Sequence, residues 1–346
     1  MRAEANSWCR SPDPVSFHRM SKGRLERQRC LVVGAAGFVG SYLSRALVDE
    51  GAEVHALIGP STSTFRIADL GGRISVARAD LSDPAATRAA VTAARPGVVF
   101  HLATPSRGGT SREPAICGPI MRGVIDPLLV LIEALCDLQT PPRAFIRAGT
   151  IAEYGRTKRP AHEDDREAPQ NAYGAAMLAA TNLLTMLRED LPFEAITARL
   201  ALTYGPLQSD SFMIPSLIRA CLAKKPFTIR RPADRRDLIH VDDVVEGFIR
   251  LAERPGIDCN TVNIATGTAP RIDDVAKQLA ALTGCDPSLL SFGTRDDDPG
   301  ETLCSDPSRA RELYGWEPKI PVLEGLAMLV RDSEGEPLGR IREKAT

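Results

Sequence analysis

The sequence predicts a doubly wound parallel α/β sheet followed by a smaller mixed α/β part. Three observations carry this. An apolar, β-forming run ending at Val33 breaks into glycines at 34, 37 and 40. It then passes into an apolar-periodic segment through Phe38, Val39, Tyr42, Leu43, Ala46 and Leu47. Beyond it, nearly continuous apolar strands alternate with amphipathic helical stretches as far as Leu200. That alternation suits a sheet covered on both faces. After Gly205-Pro206 the alternation loosens and prolines become frequent.

The elements follow in order. At the first turn, Gly34 can supply the bend and Gly37 can let backbone come close to a pyrophosphate. Gly40 can let the helix pack against the strand. The first N–H groups of that helix have no internal partners and suit a phosphate. The second and third strands are Glu53–Ile58 and Ile74–Arg78, the fourth spans residues 98–102 and the fifth residues 144–147. Helical periods occupy residues 41–50, Pro84–Ala94 and residues 119–138. A long helix at residues 172–189 precedes a sixth strand, Glu194–Leu200. Further strands are expected at Phe227–Ile229 and Thr261–Ile264. The expected division is a leader at residues 1–28, a dinucleotide-binding part at 29–205 to which 238–265 returns, a substrate-binding part at 206–332 and a tail at 333–346.

Composition bounds the function. The chain has 346 residues, 43% hydrophobic and 25% charged, which suffices for one large or two modest domains. A formal net charge of −1 gives no general field toward nucleic acid or a membrane surface. No apolar run in the sequence approaches the roughly 20 residues of a spanning helix. The polar, basic leader has no hydrophobic block, so it reads as flexible chain rather than a secretory signal. Eight cysteines without a C-x-x-C pair read as reduced thiols of a cytoplasmic protein, rather than a disulfide framework or metal site.

In a dinucleotide fold an acidic residue ending the second strand holds the adenosine ribose. Here that place is Ile58 or Gly59. The loop that follows carries Ser61 and Arg66, which suit a 2′-phosphate and tilt the cofactor expectation from NAD toward NADP; a plain polar surface loop is the competing reading. Asp80 can cap a helix with Ser82-Asp83-Pro84. His101-Leu102-Ala103-Thr104 ends the fourth strand, where ligands collect in open sheets.

The G-x-x-G-x-x-G spacing, with Phe38 after the second glycine, resembles the extended short-chain dehydrogenase/reductase family of nucleotide-sugar epimerases, dehydratases and reductases. Its fold is the Rossmann type. The resemblance spans roughly residues 29–330. It implies that Asp80-Leu81 contacts adenine and that Leu102, Ala103 and Thr104 make room for the nicotinamide half. Gly149-Thr150-Ile151-Ala152-Glu153-Tyr154-Gly155 resembles the family's S/T-x-x-x-Y-G, and Pro169-Gln170-Asn171-Ala172-Tyr173-Gly174-Ala175-Ala176-Met177 its P-x-x-x-Y-G-x-x-K. Thr150 would then bond the substrate carbonyl and Tyr173 would pass the proton. The family's lysine, which holds the nicotinamide ribose and lowers the tyrosine pKa, is Met177 here.

That departure can be weighed. An unperturbed tyrosine has a pKa of about 10, so about one in a thousand is ionised at neutral pH. Oxidising an alcohol needs the phenolate, a penalty of roughly 4 kcal/mol without the lysine. Reducing a ketone needs the neutral phenol, which is already present. Lys158, Arg156 and His162 are the sequence-near candidates for a substitute cation.

Family dehydratases carry an acid–base pair after the threonine, and here those places are Ile151 and Ala152. The Glu153-Tyr154-Gly155 ending resembles reductases of 4-keto-6-deoxy nucleotide sugars, with Glu153 read as a structural carboxylate. On the substrate side the resemblance implies Ser106, Thr150, Leu202 (where the family has asparagine) and Arg236, in Arg236-Asp237-Leu238-Ile239-His240-Val241-Asp242-Asp243, on the nucleotide diphosphate. Asp242-Asp243 reads as a helix N-cap rather than a metal site. The expected activity is an NAD(P)H-dependent ketoreductase on a nucleotide-linked 4-keto-(6-deoxy)sugar. The alternatives are a 4-epimerase with tightly bound NAD and a non-catalytic dinucleotide sensor. The resemblance also implies a homodimer through the helices at 119–138 and 172–189.

Overall fold

The computed structural model describes residues 23–104, 113–293 and 300–335. The first part runs β1 (Arg29–Val33), α1 (Phe38–Asp49), β2 (Glu53–Ile58), β3 (Ile74–Arg78), α2 (Pro84–Ala94), β4 (Val98–His101), α3 (Pro114–Cys136), β5 (Ala144–Thr150), α4 (Ala172–Leu187) and β6 (Glu194–Leu200). Then come β7 (Leu202–Tyr204), α5 (Met213–Leu222), β8 (Phe227–Ile229), β9 (Arg235–Arg236), β10 (Leu238–His240), α6 (Val241–Glu253) and β11 (Thr261–Ile264). The chain continues through α7 (Ile272–Thr283), β12 (Leu290–Phe292), β13 (Thr302–Leu303), α8 (Ser308–Tyr314) and α9 (Val322–Glu334).

Seven parallel strands form one sheet in the order β3-β2-β1-β4-β5-β6-β11. The strands are apolar on both faces because both faces are covered. Leu43 and Leu47 of α1 and Phe248 and Ile249 of α6 pack on one face. Val91 of α2, Leu128 and Leu131 of α3 and Leu184 of α4 pack on the other. A separate apolar cluster joins α5, α7, α9, β8 and β12 through Leu217, Val275, Leu279, Leu326 and Leu290. The strand order reverses between β1 and β4, so the connections leaving these two paired strands run to opposite sides and leave a crevice outside their carboxyl ends, where ligands bind in such sheets.

Several expectations change. Residues 23–28, expected within the leader, belong to the folded part: Leu25 is buried, and Arg24 forks onto Glu246 with two bonds of 2.8 Å and reaches Glu50 at 3.1 Å. The fifth strand continues to Thr150, because residues 148–150 pair with Ala198, Arg199 and Leu200 of β6. Asp242-Asp243 does not supply the cap of α6. His240 is the N-cap, accepting from Asp242 N at 3.3 Å, while Asp243 accepts from the backbone of Lys319 and Ile320 at 3.0 Å each. Helix α3, at 23 residues, does meet the length and composition of a spanning helix. It lies against α2 and α4 with Leu128, Leu131 and Leu135 in the core, so its apolar character serves sheet covering. Among the described residues no cluster suited to a metal ion occurs, and the seven cysteines are free thiols.

Candidate active site

The first turn is shaped by steric exclusion. Gly34 has φ +87°, and a Cβ there would lie 2.8 Å from Ala103 N, so the ends of β1 and β4 meet at a glycine. A Cβ on Gly40 would lie 2.2 Å from Gly34 O, so only glycine lets α1 begin this close to the turn. Gly37 is the N-cap of α1 and offers no side chain to the first turn, and no acidic residue stands there. Unsatisfied helical N–H groups with glycine beside them fit a pyrophosphate. Phe38 and Val39 follow within this turn, half-buried against the core.

On the adenosine side, β2 ends without a carboxylate at Ile58-Gly59. Ser61 is exposed, and Arg66 stacks on Phe65 at 4.5 Å and donates from Nε to Leu207 O at 3.0 Å. The sequence reading missed Arg78, which ends β3 and folds over the same loop, donating to the carbonyls of Gly59, Pro60 and Thr62. Neither arginine forms an ion pair among the described residues. Asp80 accepts from Ser82 N at 2.9 Å and Ser82 Oγ at 2.7 Å, and these bonds hold its carboxyl below the usual range. Leu81 beside it packs partly against the core.

On the nicotinamide side the chain brings three elements together. Leu102, Ala103 and Thr104 leave β4, with Leu102 N bound to Val33 O at 2.8 Å. Thr150 ends β5 and caps a single 3-10 turn, Ile151–Glu153. Its Oγ1 accepts from Ala152 N at 3.2 Å, which leaves the hydroxyl proton free to donate outward. Helix α4 starts at its Asn171 cap, whose Oδ1 accepts from Gly174 N at 2.8 Å. A Cβ on Gly174 would lie 2.6 Å from Ala152 O, so this glycine lets the first turn of α4, and Tyr173 with it, lie against the Thr150 turn. Tyr173 is half-buried and interacts with the Thr104 side chain. Burial raises its pKa above the ordinary phenol value, while Arg147 and the Thr104 hydroxyl pull the other way.

Glu153 is structural. Fully buried, it accepts from Thr150 N at 3.1 Å, Thr181 Oγ1 at 2.9 Å and Arg199 Nε at 2.7 Å. Arg199 reaches on to Glu167 at 2.6 Å and lies over the Tyr154 ring at 4.5 Å. Met177, one turn beyond Tyr173, is 1% exposed and belongs to the core between α4 and the sheet. Of the sequence-near cations, Arg156 binds Glu301 at 2.8 Å, His162 faces Asp164 at 3.3 Å and Lys158 is exposed. The cation beside Met177 is Arg147 of β5, with Nη2 at 3.3 Å from both the Met177 carbonyl and its sulfur.

On the substrate side Leu202 is 39% exposed. Arg236 is not a free fork. It binds Asp234 and Glu301 O and also its neighbour's carbonyl, Arg235 O, at 3.0 Å, tying β9 to β13. Ser106 lies outside the described residues.

Comparison with known proteins gives a consistent picture. Residues 30–265 match the model of the NAD dependent epimerase/dehydratase family. The UDP-glucose 4-epimerase of Mycolicibacterium smegmatis is 27% identical over 87% of this chain and 97% of its own. UDP-glucuronic acid decarboxylase 6 of Arabidopsis thaliana is 25% identical, covering 93% of this chain and 92% of its own. Among solved structures, MoeE5 in complex with UDP-glucuronic acid and NAD superposes with a TM-score of 0.77 at 28% identity, covering 88% of this chain and 98% of its own. The UDP-glucose 4-epimerase of Thermotoga maritima has the same fold, with a TM-score of 0.79 at 24% identity over 88% of this chain and 98% of its own.

Proposed function

Because the chain belongs to the NAD dependent epimerase/dehydratase family, we propose that it reduces a ketone on a nucleotide-linked deoxysugar. The nicotinamide, when bound, supplies the hydride. Thr150 donates a hydrogen bond from its free hydroxyl to the carbonyl oxygen as negative charge grows there, and keeps its proton. Tyr173, a neutral phenol, gives the proton that completes the alcohol. The observation that carries this reading is the state of Tyr173. With Met177 in the usual lysine place and burial raising the phenol pKa, the site favours the acid form over the base form. Dehydration lacks the acid–base pair that Ile151 and Ala152 replace.

The glycines at 34, 37 and 40 cradle the pyrophosphate, with Asp80 and Leu81 toward adenine. NADP is the proposed form, supported by Ser61, Arg66 and Arg78 around an end of β2 that carries no carboxylate. NAD is what the related MoeE5 structure holds. Arg236 reaches a substrate diphosphate only by giving up bonds within its own loop, so it serves that role by exchange of partners. Leu202 and Ser106 complete the proposed sugar side. A homodimer through α3 and α4 is supported by the half-buried apolar Met121 and Ile125 on α3 and by Met186 on α4, 64% exposed.

A second reading, a 4-epimerase with tightly held NAD, is favoured by the relatives named above. Releasing the bound nucleotide from purified protein and adding NADPH with nucleotide-sugar ketones separates the two. NADPH consumption supports the reductase. Bound NAD with interconversion of UDP-glucose and its 4-epimer supports the epimerase. Binding without redox chemistry supports a sensor.

A further inference from the structure

A guanidinium buried in the middle of a sheet needs a reason. Removing an ion from water costs several kcal/mol even after relaxation, and a well-placed partner normally offsets it. Arg147 is fully buried, yet no carboxylate lies within ion-pair distance of it among the described residues. Its Nη1 donates to Thr181 Oγ1 at 3.2 Å, its Nη2 to the Met177 carbonyl and sulfur at 3.3 Å, and its Nε finds no acceptor. Its strand neighbours, His101 on β4 and Thr197 on β6, also leave buried polar atoms unpartnered. Stability alone favours an apolar residue here, as Phe145 and Ile146 beside it show.

What the position does offer is proximity to Tyr173. Met177 stands four residues after Tyr173, on the same face of α4. A guanidinium touching Met177 from the sheet therefore reaches, from beneath, the ground that a lysine on α4 would reach from its own helix. We infer that Arg147 replaces part of the positive charge missing at Met177, so that Tyr173, a neutral phenol at rest, can shed its proton and carry the negative charge left behind. This rests on the reductase reading of the site and deepens it, and it makes Arg147 a positioning residue that acts through Tyr173. The groups facing the pair are Glu153 on the 3-10 turn, Arg199 on β6, the Thr104 hydroxyl after β4 and His101 on β4. Glu153 is bonded to Arg199 and touches Arg147 through Thr181 without a direct hydrogen bond, so its charge opposes the guanidinium only in part. His101 stays neutral at physiological pH, pushed down to about 3 by burial and by Arg147.

The test is the titration of Tyr173 itself. A ring-fluorinated tyrosine placed at position 173 of the full-length chain lowers the working pH range, and fluorine NMR reads its ionisation. Arg147→Met should raise the midpoint by about one pH unit or more, a tenfold change in ionisation constant. Arg147→Lys should stay within a few tenths of wild type, and Arg147→Met/Met177→Lys should return toward it. Thermal melts give a second signature. Met177→Lys alone sets two cations together and should lower the melting temperature, while the double swap should recover it. An unchanged midpoint in folded Arg147→Met, or an equal rise in Arg147→Lys, overturns the inference. Should Arg147→Met fail to fold, the double swap and Arg147→Lys still decide it. The titration needs neither substrate nor turnover, so it is independent of whether the reductase reading holds.

Discussion

Replacing Glu153 with glutamine changes one atom and should cost about 3 kcal/mol. The carboxylate Oε1 accepts from Thr150 N, and Oε2 accepts from both Thr181 Oγ1 and Arg199 Nε. An amide has one accepting end and one donating end. Either Thr150 N–H or Arg199 Nε–H must therefore face another donor. The Thr181 hydroxyl can turn to the Met177 carbonyl, 3.2 Å away, so the amide settles with its oxygen on Thr150 and Arg199 loses its partner. Breaking one side of a buried ion pair costs about 3–5 kcal/mol. Arg199 keeps Glu167 at 2.6 Å, which places the change at the lower end. Urea denaturation of Glu153→Gln at neutral pH should show an unchanged slope. With m of about 3 kcal/mol/M, the midpoint should fall by about 1 M. Arg199→Met added to it should recover part of the loss, since the stranded charge is gone. A loss under about 1 kcal/mol, with no coupling between the two changes, refutes the reasoning that Glu153 is the buried counter-charge of this turn.

Other expectations follow from the same contacts. Gly40→Ala drives a methyl group onto Gly34 O, 2.2 Å away, and should cost at least the roughly 1–3 kcal/mol of an overpacked core; nucleotide affinity measured by calorimetry should fall with it. Arg66→Ala should weaken NADPH about 10-fold or more relative to NADH in paired titrations, as loss of a charged hydrogen bond implies; equal losses for both forms count against a 2′-phosphate site. Burial pushes His101 down to about 3 and His240 down to about 4. Since both folded values lie below the unfolded value of about 6.5, their contribution to stability is complete above that pH and is lost as pH falls below it, by up to about 2.7 kcal/mol per pH unit for the two together. Denaturation curves collected from about pH 7 down to 4 check this, and a flat profile contradicts it.

Much of the fold was legible because its signals are local. The glycine turn and the limits of β2, β3, α2, β6 and β11 follow from apolar runs and punctuation that the chain carries in place. Of the two- and three-residue strands β8 was legible from its apolar run, while β7, β9, β10, β12 and β13 were not, since so short a strand shows little period and is fixed by a distant partner, as β9 is by β13. The same distance hid the state of Arg236, whose bond to Glu301 O spans 65 residues. Thr150, Tyr173 and Glu153 could be placed from spacing, and the structure brings their elements together. Arg147 was missed because it sits in a run read simply as a strand. The available signal was a single charge inside Ala144-Phe145-Ile146-Arg147-Ala148, unusual in a strand buried on both faces.

The most direct test of the account is the consumption of NADPH by purified protein given nucleotide-linked 4-keto-6-deoxysugars, with wild type compared against Tyr173→Phe. The neutral phenol as acid predicts steady consumption across neutral pH that falls only toward the ionisation of Tyr173, above about 10. It also predicts a loss of roughly 10²–10⁴-fold in Tyr173→Phe, with the fold retained. Undiminished consumption in Tyr173→Phe, or no consumption alongside interconversion of UDP-glucose by a tightly held NAD, contradicts it.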